Sequence, residues 1–187
     1  MTDDLTTSLR FVVEPLEAQG TPSMVVGSVA ALAHGRSRAT QGFGVVVEVS
    51  LSAVEALVEA FPPDRFYVSA DAARDAVRHQ TLFHVIDMES GWKVDFVPRK
   101  RRPFSKEELR RRERIEVLGV PLWVATVEDV EDTIIAELEW AHLGGGSARQ
   151  LEDVAELMRL AGDSDRAYIE RWVADLGLTA LWTTVLA

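Results

Sequence analysis

The chain has 187 residues, with 20 basic and 30 acidic side chains, 47% apolar residues and no cysteine. That is enough apolar material for one sizeable core or two small ones, and too much for a disordered chain. The missing cysteine excludes disulfide frameworks, thiolate nucleophiles and thiolate zinc sites, and a formal charge of -10 disfavours sequence-blind adhesion to nucleic acid over the whole surface. Met1–Leu9 is acidic and hydroxylated, unlike a secretory signal, and no apolar run reaches the roughly 20 residues of a membrane span. A cytoplasmic protein without a membrane partner is the expectation.

In chain order, Leu5, Leu9, Val12, Val13 and Leu16 recur at helical spacing, so Leu5–Ala18 reads as an opening helix that Gly20 and Pro22 end. Met24–Val26 reads as a short strand, Gly27-Ser28 as a tight turn, and Val29–His34 as a helix that stops at Gly35. Val45–Val49 reads as a buried strand, and Gly42–Val47 as a β-run. Ser50 or Ser52 is expected to cap a helix through Ala60, and Pro62-Pro63 breaks the chain before a strand at Arg65–Val68. Asp71 is expected to cap the next helix, which ends near Arg78. Leu82–Met88 and Trp92–Val97 read as a hairpin joined by Glu89-Ser90-Gly91, and Glu116–Ala125 as another that turns at Gly119. From Thr126 the pattern is helical, over Val127–Leu143, Ala148–Ala161, Asp165–Leu176 and Leu178–Leu186, with Gly144-Gly145-Gly146 as a hinge. The expected organisation is an α+β unit of five or six strands over 1–125 and a helical unit over 126–187.

Charge is unevenly placed. Arg99–Arg114 holds nine basic and three acidic residues, a net +6, so the rest of the chain carries -16. Such a stripe is the electrostatic footprint of an RNA site, but Phe104 is its single aromatic residue, which leaves little to stack on bases. Pairing with the acidic remainder, or with water, is the plainer reading. The four histidines, His34, His79, His84 and His142, show no metal-ligand spacing within any predicted element and read as ordinary polar residues. Ser28 lacks the surround of a nucleophile elbow, and the three glycines lack the Lys-Ser/Thr of a phosphate loop.

The feature that points at chemistry is the corner at Gly27-Ser28. A strand that turns directly into a helix presents free backbone N–H groups, the positive helix end and a small hydroxyl at one point, which suits phosphate oxygens. Arg38 and Thr40 follow it, and a later strand carries Lys93 and Asp95 on one face.

This layout resembles the polymerase-β-type nucleotidyltransferase superfamily, in which an apolar residue and Gly-Ser precede an Asp-x-Asp strand, with a third carboxylate on a neighbouring strand. Val26-Gly27-Ser28 matches the first element, and thirteen residues, Val29–Gln41, separate it from the place of the first aspartate. Val25–Ala30, His34-Gly35, Arg38–Gln41, Ser90–Asp95, Val117–Gly119, Leu138–Ala141 and Arg149–Val154 are similar to small bacterial minimal nucleotidyltransferases and abortive-infection toxin-type proteins. The resemblance implies a mixed twisted sheet flanked by helices, with a helical unit closing over a nucleotide cleft. It also implies transfer of a nucleotide from a nucleoside triphosphate to a hydroxyl, aided by two Mg²⁺ ions, with Asp95 as metal ligand and base and with Gly27, Ser28, Arg38, Thr40 and Lys93 around the nucleotide.

The chain departs from that pattern at the metal-binding positions. Gly42-Phe43-Gly44 stands where Asp-x-Asp is required, and glycine supplies no ligand. Glu48 has the same strand parity, but lies about 13 Å beyond position 44, at roughly 3.3 Å per residue, and cannot share an ion. Glu137 stands where relatives carry a lysine facing the phosphates. A nucleotidyltransferase-like protein with weak or absent Mg²⁺ binding and degenerate activity is therefore expected. The alternative is a non-catalytic module that binds a protein partner, in the manner of an antitoxin.

Overall fold

The computed structural model describes residues 2–27, 29, 42–125, 130–145, 148–160 and 164–186. It divides into two compact units, 1–125 and 126–187.

The first unit is built on a seven-stranded mixed sheet, two or one strands more than the hydrophobic pattern predicts. Its strands are β1 (Ser23–Val26), β2 (Gly42–Val47), β3 (Phe66–Val68), β4 (Phe83–Asp87), β5 (Lys93–Pro98), β6 (Glu113–Val117) and β7 (Val120–Val124). They lie in the order β3-β4-β5-β2-β1-β7-β6. β2 and β5 are parallel neighbours, β1 is antiparallel to β2 and parallel to β7, and the other pairs are antiparallel.

Strand alternation gives this sheet two unlike faces. One carries Phe43, Val45, Phe83, Val85, Val94 and Phe96, all buried. Helix α1 (Thr2–Ala18) buries Leu5, Leu9, Val12, Val13 and Leu16, and its Phe11 meets the Phe66 ring edge-on. After α2 (Val54–Glu59), Phe61 packs on Phe66 and Phe96, and α3 (Ala70–His79) packs against β4 and β5. Between α1 and the hairpin, Arg65 covers the Phe11 ring and donates to buried Asp87 at 2.9 Å. On the other face, Leu109 of α4 (Pro103–Arg111) packs with Met24, Val46 and Ala125, against Val26, Val97 and Trp123.

Several local expectations are corrected. Ser50 and Ser52 bond each other through their hydroxyls, and α2 starts after Ala53 with no side-chain cap, because a turn at 51–53 puts Ala53 at the capping position. Ser69, not Asp71, caps α3 by accepting from the Ala72 N–H; Asp71 sits inside the first turn and pairs with Arg74. The β4–β5 connection is longer than three residues, since the Asp87 N–H bonds the Trp92 carbonyl. The β6–β7 hairpin turns through Leu118 and Gly119, both with positive φ, as a two-residue connection requires to match strand twist.

The second unit has α5 (Glu131–Leu143), α6 (Ala148–Leu160), α7 (Arg166–Asp175) and α8 (Thr179–Leu186) among its described residues. Ile134, Ile135, Leu138, Ala141, Val154, Ile169, Val173 and Trp182 are buried, at the helical spacing of an apolar stripe. At the start of α5, buried Glu131 accepts from the Asp165 N–H at 2.6 Å, and buried Asp132 accepts from the Tyr168 hydroxyl at 2.7 Å. Gly144 and Gly145 close the end of α5, where the Gly144 N–H bonds the Trp140 carbonyl and Gly145 takes a positive φ. Gly146 lies outside the described residues.

Candidate functional site

Among the described residues that the sequence singles out, Gly42, Gly44, Lys93 and Asp95 lie on the sheet face opposite Phe43 and Phe96, in two rows across the strands. In one row Val26 pairs with Gly44, Gly44 with Asp95, and Asp95 with His84. In the next, Gly42 pairs with Lys93, and Lys93 with Ile86. Gly27 follows Val26 directly and turns with φ +73°, exposed and with open space where a Cβ would stand. Two strand spacings, about 10 Å, separate the β1 end from Asp95. Ser28, Arg38 and Thr40, the other expected phosphate contacts, lie outside the described residues.

Asp95 is engaged by its neighbours. Its Oδ1 accepts from His84 Nδ1 at 2.7 Å and from Lys93 Nζ at 3.2 Å. The carboxylate is one-third exposed, and the two bases about half exposed. Register explains the cluster. With Phe83 opposite Phe96 and Val85 opposite Val94, the polar residues between them, His84 and Asp95, meet on the other face.

His84 is the site residue that the sequence reading passes over as an ordinary polar histidine. The signal was present in the alternation of β4 and β5: only a register that sets apolar against apolar also sets His84 against Asp95. A three-residue turn shifts that register by one and puts Asp95 opposite Val85 instead, which hides the pair.

The described residues do not fit a pair of divalent ions. Asp95 is the single carboxylate of the strip, and among the described residues no three His, Asp or Glu side chains gather where they could hold a metal ion. A Cβ added at Gly42 would stand 2.8 Å from the Lys93 carbonyl oxygen, and one at Gly44 would stand 2.7 Å from a Val26 methyl carbon. Side chains are thus missing at both positions, and the space is taken by backbone at Gly42 and by the Val26 side chain at Gly44. Glu48, just past β2, pairs with Arg99 at 2.6 Å and takes no part in the strip. Glu137 lies half-buried on α5, in the other unit.

The basic stretch is largely engaged within its own unit. Arg99 holds Glu48, Arg110 holds Glu107, Arg114 holds Glu17, and Arg112 donates to the Leu109 carbonyl while stacking on Trp123.

No family model and no curated protein matches this chain. Among solved structures it is similar to the antibiotic-resistance factor ANT(2'')-Ia, whose solution structure is described as revealing substrate-regulated conformation dynamics. The match has 13% identity and a TM-score of 0.54, and covers 95% of this chain and 97% of that one. It is also similar to JHP933 from Helicobacter pylori, at 16% identity and a TM-score of 0.43, over 84% of this chain and 66% of that one. The first likeness shows the fold alone: a mixed sheet flanked by helices, arranged as in that protein. No described helix is long and apolar enough to cross a membrane.

Proposed function

We propose that this chain is a nucleotidyltransferase-like protein that keeps a phosphate-binding corner at the end of β1 and has lost two-metal nucleotide transfer. One observation carries the reading. The strip that would hold the ions has glycine at both positions opposite Lys93 and Asp95, in tight surroundings, and its remaining carboxylate is hydrogen-bonded to a histidine and a lysine. Two-metal catalysis needs carboxylates on both ions to align the attacking oxygen and neutralise the phosphates. Mg²⁺ retains most of its water on a lone carboxylate, and here two basic groups already share that one.

Phosphate binding draws on other groups. The backbone turn at Gly27 and the cation Lys93 remain, and Ser28, Arg38 and Thr40 are the further residues expected to contact phosphate. The test is calorimetry with ATP, in Mg²⁺ and in EDTA, beside transfer from α-labelled ATP. The expected result is a dissociation constant below about 100 µM, or roughly -5.5 kcal/mol, unchanged by chelation, with no label transferred. Mg²⁺-dependent labelling that Asp95→Asn abolishes would overturn the loss of chemistry. Absence of ATP binding would overturn the retained corner and favour the protein-binding module.

A further inference from the structure

The contact with Asp95 leaves half of the His84 imidazole available. Because Nδ1 lies 2.7 Å from the carboxylate oxygen, the ring donates its Nδ1–H there, and this fixes the tautomer whose Nε2 carries the lone pair. The His84 side chain is about half exposed with its Nδ1 turned to Asp95, and the Lys93 ammonium stands on the same carboxylate oxygen. An oriented proton acceptor and a cation thus meet at the Asp95 carboxylate, with the glycines of β2 on the next strand.

We infer that His84, held by Asp95, is a metal-independent proton acceptor for hydrolysis of a phosphoric ester, with Lys93 holding the ester's anionic oxygen. In the step, a water gives its proton to His84 Nε2 as its oxygen forms a bond to phosphorus. The bond from phosphorus to the leaving oxygen breaks, and that oxygen departs with the electron pair. The imidazolium then returns its proton to the departed oxygen or to solvent, so no metal, oxidant or further reactant is required. A cation this close to the base selects an anionic substrate with a good leaving oxygen, and neutral carboxylic esters are the control. His84 is the catalytic residue in this scheme, and Asp95 is a positioning residue. The inference stands on the geometry of the cluster and shares Lys93 with the proposed phosphate corner; the His84→Gln variant and the imidazole spectrum test it apart from ATP binding.

The experiment follows bis(4-nitrophenyl) phosphate with the full chain in EDTA, together with ¹⁵N NMR of the imidazole. The wild-type chain is expected to show turnover that EDTA leaves unchanged and to prefer this anionic ester to neutral 4-nitrophenyl acetate. His84→Gln is expected to lose at least about 100-fold, the lower range of general-base contributions. Lys93→Met is expected to raise KM with a smaller change in kcat. In the spectrum the His84 proton should reside on Nδ1, and Asp95→Asn should mix the tautomers while the fold's amide pattern persists. Three results would overturn the inference: no turnover in EDTA, turnover that His84→Gln leaves intact, or a His84 proton on Nε2 in the wild-type chain.

Discussion

Gly44 lies directly across from Asp95 in the parallel pairing of β2 with β5, and a Cβ placed on it would meet a Val26 methyl carbon at 2.7 Å. The position that would supply a partner carboxylate is thus both empty and tight. Gly42 is more constrained, because the atom in the way is the backbone oxygen of Lys93, at 2.8 Å. Overpacking of this kind costs about 1–3 kcal/mol. Gly42→Ala should therefore unfold at lower urea, and Gly44→Ala should lose less, since a valine methyl can rotate away. Restoring Asp at both positions should lower stability further and confer no Mg²⁺-dependent transfer. A Gly42→Ala variant as stable as the parent in urea titration would show that the strands are spaced more loosely.

Acid stability should depend on Asp87. Burial pushes its carboxyl up, but hydrogen bonds from Arg65, Ser90 and the Glu89 N–H, with the Arg65 charge, outweigh burial and hold it below the usual carboxylate range. A group lowered by folding contributes stability that is complete above its unfolded value, about 3.9, and is lost as pH falls through the folded one. Asp87→Asn should cost about 2 kcal/mol at neutral pH, the scale of a hydrogen bond to a charged group, and should flatten the stability profile below about pH 4. Chemical denaturation at a series of pH values reads both effects. A variant whose acid limb matches the wild type would place that limb elsewhere.

The β6–β7 turn can be improved. Leu118 holds φ +52° beside Gly119 at +74°, where an L residue other than asparagine or glycine is strained by roughly 1–2 kcal/mol. Leu118→Asn should raise Tm, because the residue is 42% exposed and little packing is lost. Differential scanning calorimetry decides it, and an unchanged or lower Tm would mean that the leucine's contacts outweigh the strain.

In the second unit, Tyr168→Phe removes the hydroxyl that donates to buried Asp132 Oδ1 at 2.7 Å. Withdrawing a donor from a buried carboxylate costs about 1–3 kcal/mol. The loss should appear as faster amide exchange in α5 and α7, with β2 and β5 unaffected if the two units open separately.

Much of this arrangement is legible along the chain because it depends on local periodicity. The helical spacing of Leu5 to Leu16, the turn residues Gly27 and Gly119, and the paired strands around residue 90 each show their element within a few residues. The caps fail for a local reason: Ser50, Ser52, Ser69 and Asp71 all carry suitable oxygens, and only backbone dihedrals decide which one stands a single residue before its helix.

The sequence by itself determined that two carboxylates are absent at positions 42 and 44, since residue identity needs no fold. It also determined the alternation that sends Lys93 and Asp95 to one face of a strand. Only the tertiary structure decided what lies beside them, because strand order brings β2 against β5, and hairpin register, which a one-residue change in turn length reverses, brings His84 rather than Val85 against Asp95. Whether the glycine positions have room was likewise decided by neighbouring strands, whose approach is a property of the sheet and of no single segment.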